Sequence, residues 1–368
     1  MRDFPLMTGV HLLVAVTIGC GTEVPTTRAQ PEQPASRTIL FVADGAGVAH
    51  WSAVWLGGDS LAVAAFPVVG LVDPGNTTGS HVESASSATA FAIGERTTYG
   101  AIGVGPDQEP RPTVLEVAEN GGLATGLVTT TYLLDATPAA FAAHVSSRNQ
   151  WAKIARQMLD QGIEVLMGDG LAWFDSLPIP ERYTVVTTPR ELRSVDVDRV
   201  SRLLGLFDID RVADPNRRAP SLAEMTGTAL AILDRDPDGF FLLVENEHTD
   251  HRAHDNAPLA AIQAEVADID RAIRVALDYR ARHPETLIVV TGDHETGGLA
   301  VIPDSTGALE AKYVTTGHSL ELVPLFAIGP GAETFAGIRT NAAVGRLLLE
   351  RVGGQASATG AAPPGPAD

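Results

Sequence analysis

Leu287-Ile288-Val289-Val290-Thr291-Gly292-Asp293-His294-Glu295-Thr296-Gly297-Gly298 is an apolar run that stops at a glycine and passes at once into an acid, a histidine and a second acid. Its first five residues show no in-and-out alternation, the pattern of a strand buried on both faces, as in parallel sheets covered by helices. Runs of the same kind recur at Thr38–Val42, Val68–Val72, Thr125–Thr129, Glu164–Met167, Phe240–Val244 and Pro324–Ile328. Helical patterns lie between them, notably Asn149–Gln161, Ser221–Leu233 and Pro258–Tyr279. The expected fold is α/β: a three-layer α/β/α sandwich with a largely parallel central sheet. Leu171–Pro220, broken by Pro178, Pro180, Pro189 and Pro215, is expected to be a surface excursion.

Around this unit, composition sets bounds. The chain has 368 residues, 45% of them apolar, enough for one large core or two ordinary ones. A formal net charge of -19 argues against a nucleic-acid backbone or an anionic membrane surface as the main partner. Residues 1–19 hold an apolar run, Val10 to Ile18, too short to span a bilayer but suited to a signal peptide. It closes in Thr17-Ile18-Gly19-Cys20, which is similar to a bacterial lipobox, and Cys20 is the sole cysteine. The expectation is an exported protein, periplasmic or at the cell surface, touching membrane only through lipid on Cys20. Residues 20–37 read as a flexible tether, 38–352 as one catalytic domain and 353–368 as a Gly/Ala/Pro-rich disordered tail.

The remaining strand ends also carry acids. Thr38–Val42 runs into Asp44-Gly45-Ala46-Gly47, an acid beyond a strand followed by glycines that permit a sharp turn. Phe240–Val244 delivers Glu245, and Asp250 and His254 follow, four apart, on one face of any helical turn. Carboxylate with imidazole suits zinc; an oxygen-only set suits magnesium. His318 is a further candidate ligand. After Thr125–Thr129 come Asp135, Thr137 and Arg148: two hard oxygens and a guanidinium fork shaped for a phosphate dianion. Taken singly, Asp135 has an ordinary reading as a helix cap and Arg148 as a solvated side chain. Ser84 heads a run of small residues closed by Gly94, so its hydroxyl would stand at the positive end of a tightly packed helix, a place for phosphate, although by itself the run reads equally as a helix made small to lie close to a sheet.

These segments, in this order from Arg37 to about Gly337, resemble the alkaline phosphatase family. The resemblance implies a metal-dependent phosphomonoesterase acting on small phosphate monoesters through a phosphoserine at Ser84, with two Zn2+ and one Mg2+. It implies Asp44 bridging the magnesium site and one zinc. Asp135, Thr137 and Glu245 would serve magnesium, the aspartate mainly through water. Asp250, His254 and His318 would hold one zinc, and Asp293 and His294 the other, while Arg148 would clamp the phosphate. Glu83 stands where the family usually has Asp before the serine. The short interval from His294 to His318 leaves little room for the insertion that in larger relatives crowns the active site and the dimer interface, so a homodimer is left open. The alternatives are a phosphodiesterase of the same superfamily, which Arg148 disfavours, and a surface lipoprotein that binds metal or phosphate without turnover.

Overall fold

The computed structural model describes residues 36–79, 81–174, 177–208 and 219–354. The expected signal peptide, Cys20, most of the tether and nearly all of the tail lie outside these residues. In chain order the strands are β1 (Ser36–Ala43), β2 (Val68–Asp73), β3 (Ala124–Tyr132), β4 (Val165–Asp169), β5 (Thr184–Val186), β6 (Leu203–Phe207), β7 (Gly239–Asn246), β8 (Leu287–Thr291), β9 (Glu295–Thr296), β10 (Ala300–Pro303), β11 (Leu309–Lys312), β12 (His318–Ser319), β13 (Val323–Ile328) and β14 (Gly337–Thr340). Ten of them form one sheet in the order β14-β2-β13-β8-β1-β7-β3-β4-β6-β5. All neighbours pair in parallel except β13, which is antiparallel to both β2 and β8.

The missing alternation in the central strands has the expected cause, because both faces are covered. Leu40 and Val42 of β1, with Phe241 and Leu243 of β7, join the core under the helices Ser84–Ile93, Ala136–Ala142 and Asn341–Gly353. Ile39 and Phe41, with Phe240, Leu242 and Val244, join the opposite core under Val48–Leu56, Leu222–Leu233 and Leu259–Arg282. Each fully buried Leu, Ile or Phe contributes roughly 1.5–3 kcal/mol. A few of them therefore offset the several kcal/mol that one buried charge costs, and the sheet can carry charges at its end.

Three features differ from expectation. Leu171–Pro220 is no mere excursion, since it supplies β5 and β6, which extend the sheet beyond β4. The run Leu203-Leu204-Gly205-Leu206-Phe207 is short, apolar and fully buried, and the prolines flank it without entering it. β2 lies one strand from the edge and is only partly covered, with Val69 60% exposed. Ser36 and Arg37, assigned to the tether, open β1, and Arg37 is fastened there by Asp234, Tyr279 and Glu285.

Candidate active site

Parallel strands end on the same edge, and β8, β1, β7 and β3 are consecutive neighbours. Val42 of β1 pairs with Glu245 of β7 and with Thr291 of β8, so Asp44 and Asp293, each two positions further on, leave the sheet at one level beside Glu245. Gly45 makes this convergence sterically feasible. Its φ is +69°, and a Cβ there would lie 2.7 Å from Asp250 Oδ1. Gly47 has an ordinary φ of -78°, so it meets the sequence expectation through close approach and not through its dihedral: a Cβ would meet Glu295 Cγ at 2.4 Å.

The helix Ser84–Ile93 points its first residue into this edge. Ser87 Oγ donates to the Asp293 carbonyl at 2.7 Å, tying the helix to the loop after β8. Ser84 Oγ then stands 3.3 Å from His294 Nε2. The same nitrogen is 3.5 Å from Asp44 Oδ1 and 3.4 Å from Asp293 Oδ2, all with fully buried side chains. Asp293 Oδ1 accepts from the backbone N–H groups of Gly45 and His294, at 3.1 and 2.9 Å, which fixes the carboxylate.

Beside it, Asp250 Oδ2 lies 3.2 Å from His254 Nε2, and His254 Nε2 lies 3.1 Å from His318 Nε2. His254 Nδ1 is 2.6 Å from the Thr316 carbonyl and His318 Nδ1 is 2.8 Å from the Val82 carbonyl. A carbonyl cannot donate, so both Nδ1 atoms carry a proton, and while both rings are neutral the two Nε2 atoms face one another as acceptors. That arrangement is repulsive without a cation or proton between them, and it is the tautomer a metal-binding imidazole adopts. Hairpin pairing of β9 with β12 sets His318 opposite Thr296 and stacks its ring on His294, with centroids 3.8 Å apart.

The third group consists of oxygens alone. Asp44, Glu245 and Glu247 each present a carboxylate oxygen within 4.8 Å of the others. Thr129 donates to Glu245 Oε2 at 2.6 Å. Thr137 occupies the first turn of the helix Ala136–Ala142, which Asp135 caps by accepting from the Ala136 N–H at 2.7 Å. Both oxygens of Asp44, Glu245 Oε1, Thr137 Oγ1 and Asp293 Oδ2 are buried, and no hydrogen bond among the described residues reaches them.

Orphaned buried oxygens on this scale are costly, and the titration of the group reflects it. Burial first, then Asp293 and Glu247, push the Asp44 carboxyl well above the ordinary range. Burial with Glu247 does the same to Glu245, and burial with Asp135 does so to Glu247. Asp250 goes the other way: burial would raise it, but the hydrogen bond from His254 and the His294 imidazole hold it far below the usual range. His254 is correspondingly raised to about 9 by its bond to Asp250. Divalent cations in these groups would remove the conflict, and the donors fit them: carboxylate with imidazole in two groups, hard oxygens in the third.

Arg148 faces the same edge. Its Nη2 donates to Asp135 Oδ1 at 2.5 Å and its Nη1 lies 3.4 Å from Glu83 Oε2. Burial works against its charge, but Asp135 and Glu83 outweigh it and raise the guanidinium further. Glu83 caps the serine helix as well, Oε2 accepting from the Ala85 N–H at 2.8 Å and Oε1 from Ser86 and Gly100 at 2.6 and 3.0 Å.

The structure thus brings Ser84, Asp44, Asp293, His294, Asp250, His254, His318 and Glu245 to one edge, with Thr137, Asp135 and Arg148 adjoining. His294 reaches both the Asp44–Asp293 group and the Asp250–His318 group, where the sequence reading put it in one. Glu247 was not foreseen. The signal was its place in the acid- and histidine-rich run just beyond Glu245.

A parallel α/β sheet whose carboxyl edge presents three divalent-cation groups around a serine at a helix N-terminus defines a metal-dependent hydrolase. The family model described as alkaline phosphatase matches residues 35–176 and 180–311. Alkaline phosphatase 3 of Bacillus subtilis is 33% identical over 337 residues, covering 83% of this chain and 72% of its own. Streptomycin-6-phosphate phosphatase of Streptomyces griseus is 31% identical over 422 residues, covering 90% and 93%. The solved alkaline phosphatase of the Antarctic bacterium TAB5 superposes with a TM-score of 0.77 at 28% identity, over 88% of this chain and 99% of that one. A variant of that enzyme has Mg bound in its M3 site. The chain belongs to the alkaline phosphatase family, and family and fold together make it a metal-dependent phosphatase.

Proposed function

We propose that this phosphatase hydrolyses phosphate monoesters through a phosphoserine at Ser84, with zinc at the two imidazole-containing groups and magnesium at the oxygen-only group. The observation that carries the reading is Ser84 Oγ, 3.3 Å from His294 Nε2 at the first position of a helix whose N-terminus faces Arg148 across Glu83. Cations held there would supply Lewis acidity toward the serine hydroxyl and the leaving oxygen. Ser84 Oγ attacks phosphorus in line, the phosphorus–ester oxygen bond breaks, and water later cleaves the phosphoserine to phosphate and free serine. Arg148, pre-oriented by Asp135, donates to the equatorial oxygens where transition-state charge gathers.

Two supports favour monoesters over diesters. A guanidinium fork rewards a dianion more than a singly charged diester, and the name of the Streptomyces relative denotes action on a phosphate monoester. The test is an acid quench during turnover of nitrophenyl phosphate, with the expected phosphate label on Ser84, lost in Ser84→Ala while phosphate still binds. Near-normal turnover in Ser84→Ala, or faster hydrolysis of bis-nitrophenyl phosphate by the parent enzyme, overturns the reading. We propose also that the chain is exported and lipid-anchored at Cys20, on the strength of Val10–Ile18 and the lipobox-like ending; palmitate labelling that persists in Cys20→Ala refutes this.

A further inference from the structure

We propose that Glu247 is a direct ligand of the cation held by Asp44 and Glu245, a third carboxylate beyond the set the family resemblance implies. The inference rests on the metal-dependent reading above.

Four observations carry it. Glu247 is 6% exposed, and one of its carboxylate oxygens lies within 4.8 Å of ligand oxygens of Asp44 and Glu245. Those two partners are themselves buried and short of donors: both oxygens of Asp44 and Oε1 of Glu245 receive no hydrogen bond among the described residues, and neither does Thr137 Oγ1 nearby. The Glu247 backbone is fixed, because its N–H donates to Thr130 Oγ1 at 3.0 Å and its residue opens the helix His248–His254. Finally, Glu247 Oε1 is 3.3 Å from His251 Nε2, whose side chain is 45% exposed. That contact engages one oxygen from the solvent side and leaves the carboxylate a second for the interior.

Two other roles for Glu247 are open to the same geometry. It could be a structural acid sharing a proton with Asp44, or the anionic half of a surface pair with His251. The first leaves Glu245 Oε1 without a hydrogen bond within normal geometric limits among the described residues, and the second leaves both oxygens of Asp44 so as well. A cation among the three carboxylates satisfies all of them at once, with the oxygen-only donor set that suits magnesium.

The test reads metal, not turnover. Protein stripped with chelator and reloaded with zinc is titrated with Mg2+ alone, following thermal midpoint and bound metal by elemental analysis, in the parent, Glu247→Gln and His251→Ala. Glutamine keeps the shape and removes the charge, and zinc content at parental stoichiometry reports that the variant is folded. The expected result is a Mg2+ midpoint raised at least about tenfold in Glu247→Gln, the scale on which loss of even an outer partner acts, and within about twofold of the parent in His251→Ala. A Glu247→Gln midpoint equal to the parent's, or an equal loss in His251→Ala, overturns the ligand role while leaving the phosphatase reading intact. A parent protein that takes up neither zinc nor Mg2+ brings down both.

Discussion

Glu83 ties the serine helix, Gly100 and Arg148 together through four donors, and neutralising it is an informative perturbation. In Glu83→Gln, one terminal atom becomes an NH2 group that cannot accept. If it takes the Oε1 position it confronts the N–H groups of Ser86 and Gly100; at the Oε2 position it confronts the Ala85 N–H and Arg148 Nη1. The second orientation is the cheaper. It leaves one buried N–H without an acceptor, about 1–3 kcal/mol, and removes a negative charge from a helix N-terminus, about 0.3–1 kcal/mol. The sum predicts a loss of about 1–4 kcal/mol, read as a lowered midpoint in urea titrations with cations fixed and saturating.

The pH dependence adds a sign. Burial would raise the Glu83 carboxyl, but the bonds from Gly100, Ser86 and Ala85 outweigh it and hold the group below its ordinary value of 4.5. A depressed carboxylate contributes stability that is full above the unfolded value and disappears as pH falls through the folded one. The gap between parent and Glu83→Gln is therefore widest above about pH 4.5 and narrows in acid; protonation of the metal ligands is common to both and cancels. Glu83→Asp keeps an acceptable N-cap but is one methylene short of serving all four donors. The contact most readily given up is the 3.4 Å one to Arg148, worth less than about 1 kcal/mol, or about fivefold in rate. A Glu83→Gln protein as stable as the parent at neutral pH, or a gap that widens in acid, refutes the reasoning.

Arg148→Ala is expected to lower kcat/KM for nitrophenyl phosphate about 10²–10³-fold, the scale of losing one preorganised donor to a charged transition state, and to lower the diester rate much less. Equal losses on both substrates would show that the guanidinium does not read the dianion. Gly345→Ala probes the packing that aims Ser84, because a Cβ there would sit 2.3 Å from the Ala90 carbonyl and 2.7 Å from that of Phe91, both backbone. The overpacking costs about 1–3 kcal/mol. The expected signature is lower stability together with lower kcat, and unchanged stability by chemical denaturation would contradict the packing argument.

How much of this was legible beforehand follows from which forces act. Asp44, Glu245 and Asp293 stood out because an acid directly after a doubly buried strand has few structural explanations, and parallel pairing brings such ends to one edge. His318 was different. Its place depends on the two-residue pairing of β9 with β12, too short to leave a period, and as a lone histidine it became a candidate only through the other clusters. β6 was hidden by prolines that border the run without interrupting it. Glu247 was missed because the strand was taken to end at Glu245 and the helical turn was weighed only for Asp250 and His254, whereas β7 runs on through Asn246 and Glu247 itself opens the helix. The longer side chain of Glu83 was noted as a departure from the family; its reach to Gly100 depends on a loop conformation that local sequence does not specify.

The two kinds of legibility divide the site by how its parts are held. The carboxylates of β1, β7 and β8 rise from central strands packed on both faces, so their separation is a property of the sheet and changes only if the sheet does. Glu83, Arg148 and His318 are delivered by a helix cap, a loop and a short hairpin, each fixed by a few hydrogen bonds of about 1 kcal/mol apiece. The carboxylates of the metal groups on β1, β7 and β8 therefore draw on the fold's most stable elements, whereas His318 and the groups that would meet the phosphate draw on parts that can shift by fractions of an ångström at little cost. Differences in rate and substrate preference between this chain and its relatives should then arise at Glu83 and Arg148 before they arise at Asp44 or Asp293. Glu247 is the exception that tests this division: it is anchored to the sheet's end by Thr130, and there it changes the charge of the metal site itself.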